Sequence, residues 1–398
     1  MVDDAEKLIA RTPETFKEKQ NIDARVLHEV REIDLKQRRL RVKKTDTGQT
    51  TWEPFEQLLV STGSIPIRPD VPGIDAKGIY GVNTLQSGLN VRRVVDEQQP
   101  QKAVIIGGGY IGLEMAEALI MRKLEVSLVE RSEQVMNTLD PDMGELVSEA
   151  LMKVGVKLYR NESLTAFETD NGSVQAVVTD QRTLPTDLVI LGMGVQPNTG
   201  LAQDAGIPLG VKGAIKVNDL MQTDIEGIWA AGDCAECYHL MRRQPFHIAL
   251  GTVANKMGRV AGINIGGGYA TFPGIVGTAV SKICDVEVAR TGLQEKEVQD
   301  LGLQYVTGKI ESSTRAGYYP DSGRIHVKLL AEKGTGRLLG GQIVGKEGAA
   351  KRIDVLATAL HAELALDAMI NLDLSYAPPY SPVWDPIIIA ARVAVKKL

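Results

Sequence analysis

Apolar positions along this chain keep two different rhythms, and the switching between them predicts its folded elements. Short apolar runs at 58–60, 103–106 and 188–191, and 126–129 with Ser127 as its one polar position, are expected of strands covered on both faces, and 223–233 reads as a further, punctuated strand. Between them Ile111, Met115, Leu119 and Met121 recur at helical spacing against Glu114, Glu117 and Arg122, and further helices are predicted over 142–154 and 249–264. Strands alternating with helices predict an α/β chain with parallel sheets. The alternating segments 164–168 and 174–178, joined by Asn171-Gly172, predict an antiparallel hairpin inserted into it. Near the start the pattern gives a short helix at 12–16, strands at 25–33 and 40–44, and a proline-rich connector at 65–73 that reads as a domain boundary. From residue 272 onward strands come first (277–283, 286–291, 303–310, 325–330, 338–344) and helices follow (349–362, 366–371, 382–395), which predicts a separate α+β domain. The helix face Ile353, Leu356, Ala357 and Leu360 is apolar and calls for a covering surface, read here as a two-fold interface.

The chemistry concentrates at 103–131. After the strand 103–106 come Gly107, Gly109 and Gly112 in G-x-G-x-x-G spacing, then a helix, then the strand 126–129 ending in Glu130. The first glycine permits the tight turn, the second lets backbone approach a pyrophosphate, and the third lets helix and strand pack closely. The helix N-terminus adds N–H donors for an anion. An acid at the end of the second strand is placed to accept from a ribose 2′-hydroxyl, favouring NADH over NADPH. Strand, glycines, helix, strand and acid together predict a dinucleotide site, where a lone glycine motif would not. The loop after 188–191 carries Gly194, again where backbone can approach a ligand. The run ending in Gly232 and Asp233 places a carboxylate at a strand's end, either facing a ligand or simply capping a turn.

Composition narrows the setting. A formal net charge of -5 over 398 residues argues against nucleic acid or an anionic membrane as the main partner. No apolar run reaches the roughly 18 residues a membrane span needs. The acidic N-terminus lacks the apolar core of a signal peptide, and three cysteines make no disulfide framework, so a reducing cytoplasm is expected. Cys234 and Cys237 have C-x-x-C spacing, which suits a redox pair or an incidental spacing after Asp233, and Cys284 reads as a small core residue. His239 and His247, near Arg242 and Arg243, read as members of a solvated loop, and no cluster has metal-ligand spacing.

Together these residues resemble the flavin-dependent pyridine nucleotide-disulfide oxidoreductases over the whole chain. Ser61-Thr62-Gly63 resembles the return strand into that family's FAD domain, GGGYIGLE at 107–114 its NAD site, and TDIEGIWAAGDC at 223–234 its second FAD motif. The resemblance implies two Rossmann-like nucleotide-binding domains, for FAD and NAD, plus a C-terminal α+β dimerisation domain. Their expected bounds are 1–85 and 211–270 for the FAD domain, 86–210 for the NAD domain and 271–398 for dimerisation. It implies that Gly107, Gly109, Tyr110, Ile111, Gly112, Glu114, Glu130 and Gly194 serve NADH, or NADPH as the alternative, with Tyr110 gating the nicotinamide pocket. Thr62, Gly63, Gly232, Asp233, Leu250, Gly251 and Thr252 would serve FAD, Asp233 holding the ribityl chain.

In the last third, RAGYYPDSG at 315–323, the segment 338–364 and LSYAPPYSPVWDP at 374–386 resemble the coenzyme A-disulfide reductases, NADH oxidases and persulfide reductases. In that branch tyrosines of one subunit reach the disulfide site of the other, which points to Tyr318 or Tyr319 and to Tyr376 or Tyr380. These tyrosines could equally pack a dimer seam. The implied substrate is a small coenzyme A-linked disulfide or persulfide, handled by a cytoplasmic homodimer. Lys17 and Lys19 match positions that could contact coenzyme A phosphates, and a solvated helix explains them as well. The family pattern departs in two places. Gln196 stands where arginine is usual, and the family's first FAD-binding βαβ unit and redox cysteine have no counterpart. The FAD domain is therefore expected to be N-terminally incomplete, with flavin bound weakly or not at all, no cysteine nucleophile and no complete reaction; the alternatives to the reductase are an NADH oxidase or peroxidase of the same branch and an inactive dinucleotide-binding remnant.

Overall fold

Three of the apolar runs, 103–106, 126–129 and 188–191, form the centre of a parallel sheet. In the computed structural model, which describes residues 4–398, strands Ile79–Gly81, Leu188–Leu191, Lys102–Ile106, Glu125–Glu130 and Lys157–Arg160 lie side by side in that order, all parallel. Side chains of a strand alternate between faces. Ala103 and Ile105 pack with Leu113, Leu119, Met143 and Leu151 of helices Tyr110–Met121 and Pro141–Lys153, and with Val91 and Val95 of helix Leu85–Gln98. Val104 and Ile106 instead pack with Phe167, Val174 and Val177 of the inserted antiparallel sheet. Both faces are covered, so every position in the run is apolar. The insertion has a third strand, Thr183–Pro185, beyond the two expected.

The C-terminal sheet is antiparallel, ordered Ala279–Ile283, Val286–Gly292, Leu338–Gly345, Arg324–Glu332, Tyr305–Ser313. Helices Ala349–His361, Leu366–Ile370 and Pro386–Val395 pack with this sheet in one apolar core. This corrects one expectation. Ile353, Leu356 and Leu360 are buried, with Ala357 packed beside them, against the chain's own sheet rather than awaiting a second subunit. Periodicity shows that a face is covered, not by what.

Both sheets fall within one compact unit, made of Pro66–Val195, Tyr238–Gln244 and Pro273–Leu398. Polar contacts join them. Ser281 Oγ donates to Glu114 at 2.6 Å, the Cys284 N–H donates to Glu117 at 2.9 Å, and Gln342 Oε1 accepts the Asp140 N–H at 2.8 Å. Lys328, buried on the C-terminal sheet, lies 3.0 Å from Asp140, 2.8 Å from Asp142 and 2.6 Å from Glu295.

The other unit comprises the described residues up to Ile65 with Gln196–Cys237 and Pro245–Phe272. It holds an antiparallel sheet of His28–Asp34, Arg39–Lys44 and Thr50–Pro54, and a parallel pair, Leu58–Val60 with Ile228–Ala230. Helix Gly251–Ile265 belongs to it, as does Pro13–Gln20, which carries Lys17 and Lys19 and buries no residue.

Candidate functional site

In the five-stranded sheet Lys102–Ile106 is followed on one side by Glu125–Glu130 and Lys157–Arg160, while Leu188–Leu191 returns on its other side. Strand order reverses between 102–106 and 188–191, and a crevice at the carboxyl ends of such a pair is where open α/β sheets take ligands. Both strands end there in glycine. Gly107 has φ 103° and its added Cβ would stand 2.5 Å from the Gly192 carbonyl oxygen. A Cβ on Gly112 would stand 2.0 Å from the Gly107 carbonyl oxygen, far inside contact distance. No other residue type fits at these two positions without moving backbone. Helix Tyr110–Met121 begins at Gly109, which offers no side-chain cap, so backbone N–H groups face outward at the positive end of the helix dipole. The donor set suits a pyrophosphate.

Glu130 closes the loop. Its Oε2 accepts the Gly108 N–H at 2.7 Å and its Oε1 the Ser132 N–H at 2.9 Å, with the residue only 6% exposed. A carboxylate has about four acceptor sites, so two remain for hydroxyl groups. Tyr110 stands half-buried at the helix start, its phenol shifted upward by burial, with Thr138 Oγ1 3.5 Å from its hydroxyl. Ile111 is half-buried beside it, Glu114 is held by Ser281, and Gly194, at φ 93°, accepts the Ile67 N–H at 3.0 Å.

A second pair of strand ends lies in the other unit. Ser61 Oγ donates to the Ala231 carbonyl at 3.0 Å, and Thr62 Oγ1 to the Asn198 carbonyl at 2.6 Å. Gly63 and Gly232 both have positive φ, at 70° and 88°. Asp233 receives a hydrogen bond from Ser64 Oγ at 3.3 Å, and its carbonyl lies 2.8 Å from His247 Nε2. Helix Gly251–Ile265 starts at Leu250 with no side-chain cap, leaving Gly251 and Thr252, both exposed, at an open positive helix end. The Gly63 and Gly232 turns are brought together by the parallel strands, which suits an extended polar chain beside a carboxylate.

His239 and His247, expected in a solvated loop, are buried. His239 Nδ1 accepts the Arg242 N–H at 3.3 Å, and burial lowers its pKa to about 4, so it is a neutral structural group. Among the described residues no group of three or more His, Cys, Asp or Glu side chains is placed to hold a metal ion, and no helix is long and apolar enough to cross a membrane.

All three cysteines are free thiols. Cys234 is buried and donates to the Val60 and Ala231 carbonyls, each at 3.5 Å. Burial pushes Cys237 up to about 12. Cys284 is half-buried at a hairpin turn with φ 57°, packed against the core, and its thiol is raised to about 11. A thiol with a pKa near 12 is ionised in about one molecule in ten thousand at pH 8, and the thiolate is the reactive form. A disulfide-exchange reagent at pH 8 is expected to leave Cys234 and Cys237 unlabelled in the native protein and to label all three cysteines in denaturant. Native labelling of either C-x-x-C thiol at the rate of a free cysteine would sink the inert reading.

The tyrosines gather on the C-terminal domain. Tyr318 and Tyr380 are each 77% exposed and Tyr376 is 45% exposed, while Tyr319 is half-buried. The neighbouring Tyr318 phenol raises Tyr376 above its ordinary value. Two loops far apart in sequence thus present their phenols at one place.

Comparison with known proteins adds the following. The family described as pyridine nucleotide-disulphide oxidoreductase matches residues 2–258, and its dimerisation domain matches residues 278–386. An "NAD(P)H sulfur oxidoreductase (CoA-dependent)" of Pyrococcus abyssi is 39% identical over 98% of this chain and 86% of its own length. An "NADH oxidase" of Methanocaldococcus jannaschii is 37% identical over 98% of this chain and 87% of its own. The solved structure of an NAD-dependent persulfide reductase from A. fulgidus superposes with a TM-score of 0.93 at 38% identity, covering 97% of this chain and 71% of that one.

Proposed function

The chain belongs to the pyridine nucleotide-disulphide oxidoreductase family, and on that premise we propose that it is an NADH- and FAD-dependent reductase of a coenzyme A-linked disulfide or persulfide, working as a homodimer. The observation that carries the cofactor half of this reading is the interlocked glycine turn at the sheet's reversal point, with Glu130 fixed beside it. Gly107, Gly109 and Gly112 take the pyrophosphate, Glu130 takes the adenosine ribose, and Tyr110, Ile111, Glu114 and Gly194 line the nicotinamide end. Asp233 takes hydroxyls of the FAD ribityl chain, with Thr62, Gly63 and Gly232 giving the backbone room. The open helix end at Leu250, Gly251 and Thr252 would lie near the flavin ring, where its dipole would favour negative charge. When bound, the flavin mediates between the two-electron hydride donor and the sulfur substrate. The name of the Pyrococcus protein supports a coenzyme A-linked sulfur substrate, and that of the A. fulgidus protein supports a persulfide. Exposed Tyr376 and Tyr380, with half-buried Tyr319, are the phenols offered to it.

A second reading, NADH oxidase, is favoured by the state of the thiols: Cys234 is buried, Cys237 and Cys284 are shifted up, and oxygen reduction at a flavin needs no cysteine. One experiment separates the two. Protein with FAD and NADH is followed with coenzyme A disulfide under argon, and separately in air without the disulfide. One hydride and one proton convert one disulfide to two thiols, so disulfide reduction releases two coenzyme A thiols for each NADH consumed. Anaerobic consumption at that ratio supports the reductase. Consumption only in air assigns the oxidase, and consumption in neither overturns both.

A further inference from the structure

We propose that Arg352 is the positioning residue that sets the tyrosine array, by tying together the two loops that carry it. Arg352 sits in the first turn of helix Ala349–His361, its side chain 11% exposed. Its Nη2 donates to the Thr314 carbonyl at 3.0 Å and to the Tyr380 carbonyl at 3.1 Å. Thr314 opens the loop bearing Tyr318 and Tyr319, and Tyr380 belongs to the loop bearing Tyr376. Nε donates to Asp385 Oδ2 at 2.9 Å, and Nη1 donates to the Gly348 carbonyl at 3.1 Å. Asp385 in turn accepts Ser381 Oγ at 3.1 Å and caps helix Pro386–Val395 through the Ile387 N–H at 2.9 Å. A planar guanidinium with five donors serves four acceptors on three chain segments at once, which an ammonium on a flexible stem does not.

The consequence is geometric. The Ala316 N–H reaches the Pro378 carbonyl at 3.2 Å, the one other backbone tie between these loops among the described hydrogen bonds. Without Arg352 the loops keep their folds but lose their spacing, and with it the approach of Tyr318 to Tyr376. Positioned groups lose efficiency steeply with displacement, about a hundredfold for 1 Å. Arg352 itself is covered and touches no substrate.

The role in turnover rests on the proposed coenzyme A-linked substrate, so the test has an arm independent of it. Ultraviolet difference titration of phenolate in the holoprotein, with Tyr376→Phe to assign the signal, should show the Tyr376 titration above the ordinary tyrosine range. Arg352→Lys should return it to that range while the thermal midpoint stays within a few degrees. In the kinetic arm Arg352→Lys should raise KM for coenzyme A disulfide tenfold or more, leave flavin reduction by NADH within twofold, and add little to Tyr376→Phe in the double variant. Asp385→Asn, which loosens the same hub, should show the same pattern more weakly and serves if Arg352→Lys does not fold. An unchanged Tyr376 titration in both hub variants overturns the proposal. Absence of wild-type turnover with coenzyme A disulfide counts against the substrate reading alone, and the titration still decides on Arg352.

Discussion

Lys328→Met should destabilise the fold by about 3–5 kcal/mol at pH 7, the usual cost of removing one partner from a buried ionic cluster. Lys328 is 4% exposed and faces Asp140, Asp142 and Glu295. Lys309, 2.8 Å from Asp142, is the remaining cation close by. Asp140 carries most of the consequence, because burial already raises its pKa against the pull of Lys328. Without the lysine it rises further. A carboxyl whose folded pKa lies above its unfolded value contributes stability below the unfolded pKa and loses it as pH rises through the folded one. The deficit of the variant should therefore be largest at pH 7–8 and shrink on acidification toward the ordinary carboxyl range. Urea unfolding of both proteins at several pH values measures this. A variant within about 1 kcal/mol of wild type at pH 7, or a deficit that grows on acidification, would show that the cluster is not held by its charge.

Binding of NADH over NADPH by a factor of roughly 30–1,000 is the other large effect expected. It follows from Coulomb repulsion of about 2–4 kcal/mol between the 2′-phosphate and Glu130 at intermediate dielectric. The Gly108 and Ser132 N–H groups clamp this carboxylate, so it cannot swing aside to make room. Arg131 next in sequence softens the repulsion. Glu130→Gln removes the charge and sets an amide against two N–H donors. It should bring the two cofactors within about tenfold of each other while weakening NADH as well, since the glycine turn loses part of its brace. Fluorescence titration of wild type and variant with each nucleotide gives the ratios. A wild-type preference of tenfold or more for NADPH would remove Glu130 from the ribose.

The pattern of the chain alone determined the α/β and α+β order, the parallel strands, and the glycine turn at 107–112 with its acid. These are legible because the constraint is local. A strand covered on both faces must be apolar throughout, and a turn in which a Cβ would meet backbone at 2.0 Å admits glycine only. Elements with weak local patterns escaped that reading. Strands Thr50–Pro54 and Ile79–Gly81 are short, and helix Leu85–Gln98 buries only Val91 and Val95.

What the tertiary structure decided is the partner of each covered or charged group. Glu114 and Glu117, the polar positions between the apolar ones of their helix, both bind the hairpin around residues 281–284. The apolar face at Ile353 and Leu356 is spent on the chain's own sheet. Lys328 meets Asp140 across 188 positions of sequence, and Arg352 gathers Thr314, Tyr380 and Asp385. A charged residue at such a position is indistinguishable in sequence from one in water, because its energy is set by groups that only folding brings within hydrogen-bonding range.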